Sequence, residues 1–211
     1  MTYQQKYLRR AKLVAFILQL VPFVRGVYLN GSVARGEASQ KSDIDFFIIT
    51  KKNRIWTCRA LVTLVVQLLG ARRYGEKIAG RICLNRYQTE DNLVIHPQNY
   101  YHAWNYTYSI PLVDANLFER HKEQNRWMFK YHFRFKSHYQ KSNMAIMASL
   151  PIKFLQFLFE VLFEVLANDY LEKILGKYQA KRILNDPRTK NSPEGKIFVS
   201  NSELRFHPPK S

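Results

Sequence analysis

Two aspartates at the start of an apolar segment give the strongest chemical signal in this sequence of 211 residues. Asp43 and Asp45 flank Ile44 at the beginning of the stretch DIDFFIIT. Because successive side chains of a strand alternate between its two faces, both carboxylates would lie on one face, about 6.6 to 7 Å apart along the backbone. Two such carboxylates suit Mg²⁺ or Mn²⁺, which also bind the phosphates of a substrate. The spacing therefore predicts a metal site.

A Gly-Ser pair precedes the aspartates and follows another short apolar segment, RGVYLN. Gly31 and Ser32 would leave a strand and open a helical turn, whose free backbone N–H groups can bind phosphate. Nucleotidyl transfer needs this combination of a cradle for the polyphosphate and carboxylates that hold metal ions. Arg35 and Lys41 lie nearby in the sequence and are candidates for neutralising phosphate. Solvated surface positions are the alternative for both.

The two segments together resemble the DNA polymerase beta superfamily of nucleotidyltransferases. Its signature is an apolar residue, Gly-Ser or Gly-Gly, a spacer, and then Asp-apolar-Asp or Glu. The stretch GSVARGEASQKSDIDFFII is especially similar to the minimal nucleotidyltransferases of prokaryotes. The resemblance implies that Gly31 and Ser32 contact the triphosphate and that Asp43 and Asp45 hold the metals. It implies transfer of NMP from an NTP, with ATP expected, to an acceptor hydroxyl.

The superfamily usually has a third carboxylate on a later strand, and this chain departs from that pattern. The strand expected to carry it reads Ile82–Tyr87 and contains no acid, and Asn85 occupies the corresponding place. An amide can position a hydroxyl but cannot act as a general base. Glu90 and Asp91 would be substitutes only if the strand ran further than predicted. A non-catalytic nucleotide- or nucleic-acid-binding protein on the same fold is therefore the alternative function.

Strands alternate with helices over the first 110 residues, which favours a mixed sheet covered by helices. The predicted helices are 3–20 and 56–69, and the predicted strands are 25–30, 44–50, 82–87 and 93–95. After Pro111 the pattern predicts helix throughout, up to a basic tail with one short strand at 196–199. The expected fold is α+β, with a polymerase-beta-like nucleotidyltransferase domain at 1–112 and a helical domain at 113–211.

The second half of the chain carries two amphipathic patterns. In the helix predicted within 125–141, Trp127, Tyr131 and Phe135 share one stripe, which is typical of core packing. In the helix predicted within 144–167, Lys153, Gln156, Glu160 and Glu164 fall on one face. These polar residues argue against a transmembrane segment. We expect them to face solvent while the apolar side packs on the aromatic helix, and a contact with a membrane surface remains the alternative.

The overall composition limits the classes of partner. With 46% hydrophobic and 23% charged residues the chain falls in the globular range. Its 33 Lys and Arg against 16 Asp and Glu give a net charge of +17, which favours polyanions such as nucleotides or nucleic acids. The two cysteines are too few for a disulfide framework or a structural zinc site, so a reducing cytoplasm is the expected setting.

Overall fold

A mixed sheet of six strands forms the centre of the described part of the chain, in the order β4-β1-β2-β3-β6-β5. This computed structural model describes residues 1–131, 145–146, 149–191 and 197–206. The strands are β1 (Val24–Asn30), β2 (Ile44–Thr50), β3 (Ile82–Thr89), β4 (Ile110–Val113), β5 (Phe198–Val199) and β6 (Glu203–Arg205). The helices are α1 (Tyr3–Leu18), α2 (Gly31–Arg35), α3 (Ile55–Leu68), α4 (Tyr100–Thr107), α5 (Ala115–Gln124), a 3₁₀ helix (Arg126–Lys130), α6 (Leu150–Asn185) and α7 (Pro187–Lys190).

Strand pairing determines which residues meet at the functional end of the sheet. Strand β2 lies antiparallel to β1 and parallel to β3. Asp45 is thereby paired with Asn30 on one side and with Cys83 on the other. Strand β4 forms one edge of the sheet, and β5 and β6 extend it beyond β3. The predicted α+β fold with a mixed sheet is confirmed.

Both faces of the sheet are buried, and alternation along β2 assigns its side chains to two separate cores. Phe46 and Ile48 belong to the core that also contains residues of α1 and α3. Phe47 and Ile49 belong to a second core that also contains residues of α4 and α5. Since Asp45 has the parity of Phe47, its carboxylate emerges on the face that α4 covers. The site therefore lies between the sheet and α4.

Two of the predicted elements are wrong, and each has a physical reason. Residues 93–95 form no strand, because the side chain of Asn125 provides their hydrogen bonds: it accepts from the Ile95 amide at 2.7 Å and donates to the Leu93 carbonyl at 2.8 Å. Residues 110–113 form β4 and not helix. Pro111 is compatible with this strand because β4 lies at the sheet edge.

The helix predicted within 144–167 is part of α6. Lys153 is exposed as predicted, but the predicted orientation is wrong for the other three polar residues. Gln156 donates to the backbone carbonyls of Val21 and Val24, at 3.1 and 2.8 Å. Glu160 accepts from the backbone N–H of Phe23 at 2.9 Å and pairs with Arg25 at 2.6 Å. The polar side of α6 therefore packs against the sheet domain, because it satisfies backbone and charged groups there.

Residues further along α6 also bind the sheet domain. Glu164 pairs with Arg54 at 2.5 Å. Glu172 accepts from the backbone N–H groups of Trp56 and Thr57, at 2.8 and 2.9 Å. These groups lie in the first turn of α3, whose own N-cap residue, Arg54, makes no side-chain capping hydrogen bond. Glu172 thus caps α3 from a distant helix.

The aromatic helix expected to cover α6 is described only in part. Residues 126–130 form a 3₁₀ helix, and Trp127 packs against the second core. Phe135 lies outside the described residues. Among the helices of the described part, none is long and apolar enough to cross a membrane. The division at residue 112 stays a prediction, although β5 and β6 join the sheet from the later part of the chain.

Candidate active site

The side chains of Asp43 and Asp45 converge at the N-terminal end of β2. Asp43 immediately precedes β2, and Asp45 is its second residue. A carboxylate oxygen of each lies within 4.8 Å of the other and of the Cys83 sulfur. Burial, together with the charge of Asp43, raises the pKa of Asp45 to about 7, although Arg73, Asn85 and Arg35 oppose the rise. The Asp45 carboxylate is thus a buried anion with incomplete compensation.

Arg73 supplies part of the missing positive charge. Its guanidinium lies 2.5 Å from Asp43 Oδ2 and donates to Cys83 Sγ at 3.7 Å. The arginine side chain is 30% exposed at the rim of the cleft, so it can leave the carboxylate without disrupting a core. The sequence pattern gave no signal for this residue, because basic residues in a loop are usually solvated.

Cys83 and Asn85 come from β3, the strand next to the aspartates. Cys83 pairs directly with Asp45, and the Asn85 amide donates to Asp45 Oδ1 at 3.1 Å. Burial and the two nearby carboxylates raise the pKa of the Cys83 thiol, so it stays protonated at neutral pH. Alternation along β3 could have identified Cys83, since it shares a face with Asn85.

This donor set fits a hard divalent cation. Two carboxylates provide the oxygen ligands that Mg²⁺ and Mn²⁺ prefer. The raised pKa of Asp45 shows that a further positive charge at this point would stabilise the ionised form. A protonated thiol is a poor ligand, so Cys83 does not change this preference at neutral pH.

The Gly-Ser turn lies against the same carboxylate. Gly31 has a φ of +70°, and a Cβ atom built on it would stand 2.0 Å from Asp45 Oδ2. Glycine is therefore required here both by the backbone conformation and by the close approach of the carboxylate. Helix α2 begins at Gly31, and the side chain of the preceding Asn30 makes no capping hydrogen bond. The first N–H groups of α2 lie at the wall of the cleft with Gly31 and Ser32.

All seven residues singled out from the sequence line one cleft of about 750 Å³: Gly31, Ser32, Arg35, Lys41, Asp43, Asp45 and Asn85. Arg35 pairs with Glu37 at 2.8 Å, and its guanidinium lies 5.8 Å from the centre of the Trp104 ring. Lys41 is exposed at the cleft. The volume lies within the range typical of small-molecule sites. Glu90 and Asp91 do not line the cleft, and they follow the far end of β3.

The opposite wall consists of residues that the sequence pattern did not indicate. Helix α4 contributes four aromatic rings and an amide to it, and β6 contributes a cation: Tyr101, His102, Trp104, Asn105, Tyr106 and Arg205. Burial, together with the charges of Arg86 and Arg205, lowers the pKa of His102 to about 3. His102 is therefore neutral at physiological pH. The aromatic density of YYHAWNY was the available signal.

The comparisons with known proteins agree with this geometry. A family model described as "Nucleotidyltransferase domain" matches residues 10–123, which include β1 to β4 and both halves of the motif. No curated protein and no solved structure matches the chain. The family match covers more than half of the 211 residues and confirms the resemblance to polymerase-beta-type nucleotidyltransferases. This chain belongs to the nucleotidyltransferase domain family.

Proposed function

We propose that this protein transfers NMP from an NTP, with ATP as the expected donor, to an acceptor hydroxyl in a reaction that depends on Mg²⁺ or Mn²⁺. One observation carries the proposal. The carboxylates of Asp43 and Asp45 converge beside Gly31 on a cleft whose volume of about 750 Å³ is sufficient for a nucleotide.

The residues of the cleft divide into three roles. Asp43 and Asp45 would hold the divalent ion, whose charge supports a developing negative charge on the phosphates. The backbone N–H groups of Gly31 and Ser32 would bind the polyphosphate. The hydroxyl oxygen of the acceptor attacks the α-phosphorus, the bond from that phosphorus to the bridging oxygen breaks, and pyrophosphate leaves.

Arg73 has to change partners when the metal-bound nucleotide enters. Its guanidinium contacts Asp43 at 2.5 Å, which is the position that a cation would share. Since Arg73 lines the same cleft, the released guanidinium would be available to the phosphates, and arginine binds phosphate well.

Proton removal is the weak point of this site. Among the described residues the cleft offers no carboxylate beyond the metal-holding pair, and Asn85 cannot accept the proton of the hydroxyl. A positioned base contributes typically 10² to 10⁴ in rate. We therefore expect slow transfer and a gain of activity in Asn85→Asp, whose new carboxylate would replace an amide that already reaches Asp45 at 3.1 Å.

Incubation with each NTP labelled at the α-phosphate, in cell lysate with Mg²⁺ or Mn²⁺, tests the proposal. Labelled product should form with the native protein and be lost in Asp43→Asn and Asp45→Asn. Asp91→Asn is the matched control, because it removes an acid outside the cleft. Equal labelling by the native protein and both cleft variants would overturn the assignment of the metal site.

A non-catalytic nucleotide- or nucleic-acid-binding protein is the second candidate. Two observations favour it: β3 carries no acid, and Arg73 occupies part of the cation position. The net charge of +17 makes nucleic acid a reasonable ligand. In that case calorimetry would show that the native protein binds nucleotide, although neither it nor Asn85→Asp would form labelled product.

A cytoplasmic location remains part of the proposal.

A further inference from the structure

Helix α6 exposes an apolar surface that neither the sheet domain nor the proposed reaction uses. Nine large apolar side chains between residues 150 and 165 are each at least 42% exposed: Leu150, Phe154, Leu155, Phe157, Leu158, Phe159, Val161, Leu162 and Val165. Their spacing of three and four residues makes them one continuous surface, about 24 Å long. We call these nine residues the α6 apolar face.

The orientation of α6 is the reverse of that expected for an ordinary surface helix. Its polar residues Gln156, Glu160 and Glu164 are fixed by hydrogen bonds and ion pairs to the sheet domain. Rotation of the helix to bury its apolar side would break all of these contacts. Soluble monomers rarely leave an apolar patch of this size uncovered, and such patches mark interaction surfaces.

The charges around the α6 apolar face indicate what covers it. Lys153 is the only charged residue among the exposed positions from 150 to 165. Further along the helix the described exposed cations are Lys173, Lys177, Lys181 and Arg182, and the exposed acid Asp169 is already paired with Arg54 at 2.7 Å. Tyr170 and Tyr178 are exposed among these cations at 73% and 60%. At about 100° per residue, Lys153 and Lys173 lie near the two edges of the α6 apolar face. Phe and Leu side chains bordered by lysines are typical of a helix that lies in the interface of an anionic membrane.

We propose that the α6 apolar face binds the surface of an anionic lipid bilayer, with the helix lying on the membrane without crossing it. Charge favours this occupant over a second copy of the chain. Two copies of net charge +17 repel each other, whereas an anionic bilayer attracts the exposed cations of α6. The lipid tails cover the Phe and Leu side chains while the lysines remain at the headgroups. This inference is independent of the proposed nucleotidyl transfer.

Vesicle flotation with the full chain tests the proposal. The protein should float with vesicles of phosphatidylcholine mixed with phosphatidylglycerol, and much less with phosphatidylcholine alone. High salt should weaken this binding because it screens the lysines. The double variant Phe157→Glu/Val161→Glu should lower the partition coefficient at least tenfold. Both positions are exposed, so its thermal unfolding midpoint should stay close to that of the native protein.

Leu68→Glu is the matched control, because Leu68 is 78% exposed on α3 and lies outside the α6 apolar face. It should retain vesicle binding. Three results would overturn the proposal: no flotation with anionic vesicles, equal flotation of the native protein and the double variant, or equal binding to neutral vesicles. A dimer in sedimentation velocity that dissociates in the double variant would instead assign the face to a second copy. Loss of NTP labelling with intact vesicle binding would contradict only the proposed function.

Discussion

Asp45→Asn should make the metal-free protein more stable at neutral and higher pH. Burial, together with the charge of Asp43, raises the pKa of Asp45 from 3.8 to about 7. Above this pKa the folded protein contains an ionised carboxylate that the unfolded chain ionises far more readily. Asparagine has nearly the same shape, and its side-chain oxygen can still accept the hydrogen bond from Asn85. The substitution therefore removes the charge and retains the contact.

The size of the effect follows from the pKa. At 1.36 kcal/mol per pH unit, a pKa that moves from 3.8 to about 7 corresponds to about 4 kcal/mol. Below about pH 3.8 the Asp45 carboxyl is protonated in both the folded and the unfolded state, so it does not lower the free energy of unfolding. The cost grows as the unfolded chain ionises and is complete above about pH 7. Since the side chain of Asp45 is only partly buried, we expect the variant to gain about 2 kcal/mol at about pH 8.

Urea unfolding in EDTA, measured near pH 4 and near pH 8, checks this expectation. The advantage of Asp45→Asn should be present at the higher pH and nearly vanish at the lower one. After EDTA is removed, added Mn²⁺ should stabilise the native protein and leave the variant unchanged, because a ligand that binds only the folded state stabilises it. Asp91→Asn should show no such gain, because Thr89 and Lys52 lower the pKa of Asp91 and its ionised form therefore stabilises the fold. A variant that is no more stable than the native protein at pH 8 would refute the argument that Asp45 is an uncompensated buried anion.

Three other perturbations test separate parts of the structure. Gly36→Ala should lower the free energy of unfolding by about 1 kcal/mol, because its φ is +81° but nothing lies within 4 Å of a Cβ atom there. Gly31→Ala should lower it by about 2 kcal/mol more and abolish stabilisation by Mn²⁺, because its Cβ atom would meet Asp45. Glu160→Gln should lower the free energy of unfolding by about 2 kcal/mol. Asp169→Asn, whose side chain is 77% exposed, should lower it by less than about 0.5 kcal/mol. His102 should show no NMR titration between about pH 5 and 8, because its pKa is about 3.

The local parts of the site could be predicted because short segments determine them. Strand β2 begins and ends where the apolar run predicts, and β1 differs from its prediction by one residue at its start. The motif spacing predicts that Gly31 and Asp45 lie close together. The pairing of β1 with β2 explains why they do. Asn30, the residue before Gly31, pairs directly with Asp45. A hairpin-like connection therefore brings both halves of the motif together without help from the rest of the chain.

The orientation of α6 could not be predicted in the same way. Periodicity locates a polar stripe on a helix, but it does not indicate whether water or protein meets that stripe. Glu160 binds a backbone N–H that is 137 residues away in the chain, and Glu172 caps α3 from a distance of 116 residues. Such partners are backbone groups, which every residue has, so the sequence contains no complementary pattern. Tertiary contacts of this kind can reverse the usual rule that polar residues face outward.

The residue that corresponds to the third carboxylate shows the limit of alternation as an argument. Alternation along β3 places Cys83 and Asn85 on the same face of the sheet as Asp45. Which of the two lies directly beside Asp45 depends on the register between β2 and β3, which are distant in sequence. The structure pairs Asp45 with Cys83, and a register shift between Phe46 and Phe47 still lets the Asn85 amide reach the carboxylate. Cys83 of β3 thus pairs with Asp45 in the sheet, whereas Asn85 makes the hydrogen bond to its carboxylate. Because the Asn85 amide already reaches Asp45 Oδ1 at 3.1 Å, a carboxylate at position 85 would lie within reach of the cation that Asp45 would hold, and that cation would offset the added negative charge.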